Sequence, residues 1–163
     1  MQGFASGLFD KLLMGNKPVS SGDIVARLSL EDLKDSVARD LEALLNTRKV
    51  IADEVFALYP ECSKSIATYG LNDFAGLSLA STDDRAYICR SLEKTISRHE
   101  PRLQNVIAAL EVQEGSVNKL NFAISALLIV HPAQEPVSFD AVLQPSSLHY
   151  SISKTRRPVR IEI

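Results

Sequence analysis

TDDRAYICRSLEKTISRHEPRLQNVIAALEVQEGSVNKLNFAISALLIV, residues 82–130, changes its hydrophobic period part-way along, and that change decides the fold. Over 82–99 Ala86, Leu92 and Ile96 share one side, widened by Ile88, Cys89 and Thr95, a 3.6-residue period that predicts an α-helix. Pro101 stops it, because proline has no backbone donor and pushes Glu100 out of the helical region. Beyond the proline the period falls to 2. Val106, Ala108, Leu110 and Val112 alternate with Asn105, Ile107, Ala109 and Glu111, and Leu120, Phe122, Ile124, Ala126, Leu128 and Val130 form a longer row. Gly115, Ser116 and Asn118 between the rows predict an antiparallel hairpin. Ile107, Ala109, Leu127 and Ile129 put apolar atoms on the second face, so part of the sheet is expected to be covered on both sides or to meet a partner.

Upstream, Ser29 is a good N-cap, with Asp32 three residues on and Glu31 in the first turn. Leu30, Leu33, Val37, Leu41, Leu44 and Leu45 then recur at helical spacing, predicting a helix over 30–45. Its other side, Glu31, Lys34, Asp35, Arg39, Asp40 and Glu42, reads as a solvated face. Between the helices, 50–58 predicts a short helix before Pro60, and 65–69 a turn ended by Gly70. Leu71, Phe74 and Leu77 are expected to cover the core from a loop. Phe4, Leu8, Phe9 and Leu12 make residues 4–14 an amphipathic helix too short to stand alone, set off by the Gly, Pro and Ser residues of 15–22, a geometry that suits a docking arm and equally a helix folded onto its own domain. Downstream, Phe139, Ala141 and Leu143 suit a short strand or an excursion. The closing segment, 148–163, carries Tyr150, Ile152, Val159 and Ile161 but is interrupted by Pro158. Helices followed by sheet make the class α+β, with N-terminal helices before a mainly antiparallel β-sheet. Residues 1–22 read as arm and linker, and 23–163 as one domain.

The 163 residues are 45% apolar and 23% charged, ordinary globular usage. The longest uncharged stretch, 120–134, contains Asn121, Ser125, His131 and Pro132 and falls short of a membrane span; the first ten residues lack a signal-peptide pattern. A cytosolic address is expected. Cys62 and Cys89 have no Cys or His companion at ligand spacing and read as small buried hydrophobes. A net charge of −2 gives no global reason to bind nucleic acid, although Lys154, Arg156, Arg157 and Arg160 crowd the C-terminus.

No chemistry declares itself. His99, His131 and His149 lie in separate segments without an HExxH pattern, and no P-loop, GxGxxG or GxSxG is present. Neither a metal nor a cofactor is expected. Twenty acids allow accidental carboxylate pairs, of which Glu100 is one candidate member for a peptidoglycan glycoside hydrolase, the alternative enzyme reading. A further alternative is nucleic-acid binding through the basic tail, with Tyr150 stacking a base.

Four segments together resemble one family. They are Ser6-Gly7-Leu8-Phe9-Asp10-Lys11-Leu12; Asp40-Leu41-Glu42-Ala43-Leu44-Leu45 running into Asn46-Thr47-Arg48; Tyr69-Gly70-Leu71-Asn72-Asp73-Phe74; and 90–103, ending in Glu100-Pro101-Arg102-Leu103. In that order and spacing they resemble the phage-tail baseplate wedge proteins once labelled lysozyme-like, a group that includes a baseplate subunit of bacterial type VI secretion. The resemblance covers residue 6 to about 130; beyond His131 it is a likeness of fold only, and the basic ending has no counterpart residue by residue.

The resemblance implies a non-enzymatic structural subunit in a cytoplasmic, membrane-docked baseplate, helping to assemble it and to anchor or initiate the sheath of a contractile apparatus. It implies contacts with the wedge subunits TssF and TssG and proximity to the sheath proteins TssB and TssC. No small-molecule substrate, cofactor or membrane insertion is implied. Within that frame Glu100 and Arg102 are the expected partner-binding charges, and the arm residues Phe4, Leu8, Phe9 and Leu12 the expected apolar anchors. Pairing of Glu100 and Arg102 with each other inside the chain is the competing expectation. Pro101, Asn46, Thr47, Arg48, Tyr69, Gly70 and Asp73 are expected to hold structure.

Overall fold

The computed structural model describes residues 4–5, 27–51, 53–74, 76–78, 81–111, 120–130, 133–144 and 147–155. Helix α1 (Leu30–Asn46) starts where the sequence supplies its cap. Ser29 Oγ accepts the Asp32 amide at 3.1 Å and the Asp32 carboxylate accepts the Ser29 amide at 3.1 Å, closing the capping box in both directions. A six-residue helix α2 (Asp53–Leu58) and two 3-10 turns (Pro60–Lys64 and Ile66–Thr68) follow. Helix α3 (Thr82–His99) is capped by Ser81, with Asp83 and Asp84 in its first turn and Arg98 and His99 in its last, signs that suit the helix dipole.

The expected α+β architecture is present. Strands β3 (Leu103–Glu111), β4 (Leu120–Val130), β5 (Ala133–Gln144) and β6 (His149–Lys154) form an antiparallel meander in the order β3-β4-β5-β6. Phe122, Ile124, Ala126 and Leu128 of β4 face Leu33, Val37, Leu41, Leu44 and Leu45 of α1 and Ile88, Leu92 and Ile96 of α3 in one core. Leu71 is fully buried, while Phe74 and Leu77 pack against the core from the connecting loop as expected.

Several elements differ from the sequence reading. β3 begins at Leu103 because a bulge between Gln104 and Ile107, with Asn105 at φ 51°, shifts the register and lets both Leu103 and Ala108 point inward. β5 is a twelve-residue strand, not a short excursion; Pro136 is tolerated because β6 pairs only with Phe139 to Gln144. Phe4 is not helical. Phe4 and Ala5 form strand β1, antiparallel to β2 (Arg27–Leu28), so the backbone there is satisfied by a partner segment. Leu8, Phe9 and Leu12 lie outside the described residues. Cys62 is exposed on a 3-10 turn and Cys89 half-buried, so neither is the fully buried hydrophobe expected.

The excursion between α1 and α3 is fastened at its two ends. The Leu71 amide donates to the Thr47 carbonyl at 2.9 Å and the Lys49 amide to the Leu71 carbonyl at 2.8 Å, around a parallel bridge of Arg48 and Leu71. Gly70 has φ +108°, and a Cβ there would lie 2.6 Å from the Thr47 carbonyl oxygen. Gly70→Ala is therefore expected to destabilise the fold by about 3 kcal/mol through left-handed strain and backbone overlap. The check is a lower urea midpoint at unchanged denaturant slope; a midpoint equal to the parent's would contradict this reading of the corner.

Candidate functional site

At the end of α3 the chain turns into β3 within Glu100, Pro101 and Arg102, and the two charges close on each other. Glu100 is 5% exposed. Arg102 Nε donates to Glu100 Oε1 at 2.7 Å and Nη2 to Oε2 at 2.5 Å, the fork-on-carboxylate arrangement that suits a planar guanidinium. The Arg102 amide also reaches Oε1, at 3.2 Å. From α1, Asp40 accepts from Arg102 Nη2, and Ser36 Oγ, itself buried, accepts from Nη1 at 3.3 Å. The Glu100 hydrogen bond, the Glu100 charge and Asp40 raise the Arg102 pKa against the opposing effect of burial. One guanidinium, its side chain 29% exposed, thus ties α1, the end of α3 and the start of β3 together.

The asparagine-threonine-arginine run at the end of α1 performs a second join. Asn46 Nδ2 donates to the Tyr150 carbonyl and its Oδ1 accepts the Tyr150 amide, both at 2.8 Å. Thr47 Oγ1 donates to the Ala43 carbonyl at 2.8 Å, and Arg48 donates to the carbonyls of Leu45 at 2.9 Å and Leu148 at 2.7 Å. Tyr69 stacks edge-on against His99 with ring centroids 5.3 Å apart. His99 Nε2 donates to the Thr68 carbonyl at 2.9 Å. Asp73 is an exposed loop residue.

Other charged side chains complete the arrangement. Glu42 accepts the Ile152 amide at 2.9 Å and Glu93 of α3 accepts the Ala108 amide at 2.9 Å. Lys154 donates to Glu31 at 3.1 Å and pairs with Asp35 at 2.7 Å. Glu31, Asp35, Glu42 and Asn46 thus form one stripe of α1 that follows β6 from Lys154 back to Tyr150. Four- and seven-residue spacings were the available signal, but the stripe reads as solvent-facing without knowledge of which strand lies beside it. Arg156, Arg157 and Arg160 lie outside the described residues.

Chemically, the corner is a charged clamp. Both Glu100 oxygens are engaged by the guanidinium. Among the described residues no group of three or more His, Cys, Asp or Glu side chains could hold a metal ion. Nor is any described helix long and apolar enough to cross a membrane.

The family model for baseplate wedge protein gp25 matches residues 31–133, a span that opens at the first turn of α1 and takes in α3, β3 and β4. The chain is also similar to anti-adapter protein IraD of Escherichia coli O6:K15:H31 (strain 536 / UPEC), with 30% identity over 118 residues, 72% of this chain and 80% of that protein. IraD of Escherichia coli O127:H6 (strain E2348/69 / EPEC) matches with the same identity and shares.

Two outcomes test the clamp. Arg102→Ala leaves the Glu100 carboxylate buried without its partner, and is expected to lower stability by about 3 kcal/mol, whereas Asp40→Ala, removing the half-exposed partner, is expected to cost under about 1 kcal/mol. Chemical denaturation of both variants measures the difference; equal losses would contradict the geometry.

For His99, burial is the first cause holding its pKa below the ordinary value, with Arg98 adding to it and the Thr68 carbonyl opposing. The unfolded chain then binds a proton before the folded one. Stability from this group is complete above the unfolded value near 6.5 and is lost as the pH falls below it toward the folded pKa. His99→Gln is expected to flatten the decline in urea midpoint between about pH 7.5 and pH 5.5.

Proposed function

The chain belongs to the family of baseplate wedge protein gp25, and from that premise we propose that it is a structural wedge of the TssE kind in the baseplate of a type VI secretion apparatus. Family membership supports a structural baseplate role and contact with other baseplate subunits. The finer reading is that the chain joins TssF and TssG in the wedge, lies against the TssB and TssC sheath, and helps anchor or initiate that sheath from a cytoplasmic, membrane-docked baseplate. The observation that carries it is the family match over 31–133, which contains the whole clamp of Ser36, Asp40, Glu100 and Arg102.

The proposal includes no enzymatic activity. A glycosidase needs two carboxylates free to face a scissile bond. Glu100 is buried and held through both oxygens by Arg102, which supports a positioning role over an acid-base one. The nucleic-acid alternative loses part of its charge, because Lys154 is paired with Glu31 and Asp35.

Glu100 and Arg102 enter the proposal as the rigid corner that sets the wedge surface. Arg102 keeps enough exposure for a partner carboxylate to approach its outer edge. The arm is proposed to dock on a neighbouring subunit through Leu8, Phe9 and Leu12, with Phe4, held in β1 against β2, fixing where it leaves the domain. A second reading comes from the IraD relatives: the chain acts as an anti-adapter.

Affinity purification from the native cell, with identification of the recovered proteins, separates these readings. Recovery of TssF, TssG and sheath subunits is expected; recovery of an adapter protein without them would overturn the wedge reading in favour of the second. Deleting residues 1–14, which removes only the two-residue pairing of β1 with β2 from the described fold, is expected to leave the melting temperature nearly unchanged and to reduce wedge recovery. A sharp loss of thermal stability with normal recovery would make the arm part of the chain's own packing. Folded protein is expected to release no sugar from peptidoglycan; turnover abolished by Glu100→Gln would restore the hydrolase.

A further inference from the structure

The sheet has two faces, and the described helices cover one. Phe122, Ile124, Ala126 and Leu128 of β4 turn toward α1 and α3, so Ala123, Ser125, Leu127 and Ile129 turn the other way. The registers carry this outer face across the strands. Ala109, Ala123, Asp140 and Ser153 stand in one row, and Ile107, Ser125 and Ser138 in the next. An antiparallel sheet can leave a polar face to water. Here the β3–β4 side is aliphatic instead, with Ile107 53% exposed, Ala109 exposed, and Leu127 and Ile129 half-buried.

The charge on this face has one sign. Among its described residues the Asp, Glu, Lys and Arg side chains are Asp140 near the centre and Glu111 at the end of β3, both acids, and neither is paired with a described residue. Lys154, next to Ser153, turns to α1 and is held there by Glu31 and Asp35. Around Asp140 lie hydroxyls: Ser153 opposite on β6, Ser138 two residues along β5, and Ser125 diagonally on β4. Ser125 is only 8% exposed, and its hydroxyl makes no hydrogen bond to a described residue. A carboxylate among hydroxyls offers acceptors to a cation, and no described side chain supplies one.

We propose that the outer face of the sheet docks a basic amphipathic helix of another protein, with a lysine or arginine seated at Asp140 and apolar side chains laid on Ile107, Ala109 and Leu127. A sheet face presents side chains and no free backbone groups, so what covers it must satisfy its own backbone, as a helix does. Neighbouring strands lie about 4.8 Å apart, which puts Ala109 and Asp140, two strands apart in one row, about 10 Å from each other. Seven residues of helix rise about 10.5 Å. An apolar side chain and a cation seven residues further on therefore meet both points from one side of a helix. An acidic helix, or a nucleic-acid backbone, would set like charge against Asp140 and Glu111. The surface draws on none of the residues of the Glu100–Arg102 clamp.

The test uses the full chain, isotopically labelled, titrated with a synthetic helical peptide that carries leucines and, seven residues from them on the same side, lysines. The comparison probe is the same peptide with glutamates for lysines. The lysine peptide is expected to shift the amide signals of Ala109, Ala123, Asp140 and Ser153, and the glutamate version to leave them in place. Asp140→Asn, which removes an unpaired charge, and Ile107→Thr, at an exposed position, are each expected to weaken binding about fivefold at a nearly unchanged melting temperature. Equal binding of the two peptides, full binding by Asp140→Asn, or shifts confined to α1 would overturn the proposal. So would either of two other occupants. Movement of the Ala123 and Ser153 signals in the free chain when Arg156, Arg157 and Arg160 are replaced by serine would assign the face to the chain's own basic end. A dimer in sedimentation that Asp140→Arg dissolves would assign it to a second copy. Because the peptide assay needs no baseplate subunit, a chain that binds the peptide yet recovers no wedge partner upholds this surface while refuting the wedge reading.

Discussion

Burying a carboxylate at the point where a helix hands the chain to a sheet sets a demand that the surrounding elements meet. Glu100 sits at the C-cap of α3, where the last carbonyls of the helix make negative charge unwelcome, and it is almost wholly removed from water. Only a cation with fixed geometry close by can offset both penalties, and Arg102 supplies it across the rigid Pro101. The guanidinium has further donors to satisfy, and these find Ser36 and Asp40 on α1. The relative placement of the two helices follows from one side chain's hydrogen-bonding capacity as much as from the leucines between them.

The same economy governs the sheet margins. A four-stranded open sheet leaves two edges whose amides and carbonyls would otherwise invite another strand. Along β6, the Tyr150 amide and carbonyl and the Ile152 amide are met by Asn46 and Glu42. Along β3, the Ala108 amide is met by Glu93. Each helix thus turns its apolar side to the core and its flank to a strand edge. The polar residues on that flank act as substitutes for the missing neighbour strand.

Much of this was legible in the amino-acid sequence, and the limits are physical. Helix α1 was legible to within a residue because its apolar spacing and its Ser29–Asp32 cap are local facts, and α3 because Pro101 permits no continuation. The strand pattern from Leu120 to Val130 was legible because one face is buried without interruption. The start of β3 was hidden by a bulge, which displaces the alternation by one residue and cannot be told from a shorter strand by period alone. β5 was underestimated because Pro136 argues against a strand unless one knows that its outer neighbour stops short. At the corner, the Glu100-Pro101-Arg102 motif was visible, but Asp40, 62 residues from Arg102, was one acid among several on a polar face. Glu42 and Glu93 were missed for the same reason, since a carboxylate that caps a distant strand looks no different in sequence from one that faces water.

The fastening of Thr47, Lys49 and Leu71 has a consequence for how this molecule can vary. With Thr47 and Lys49 pinned to Leu71, the core senses that closure together with a few contacts from inside the loop, such as the Tyr69 ring on His99. Loop-closure entropy rises only with the logarithm of length, so doubling that path would add about 0.6 kcal/mol to the cost of folding. Such a module is free to change its length and its surface at little expense to the scaffold that carries it, which makes the excursion the natural place for related chains of this fold to acquire different partners.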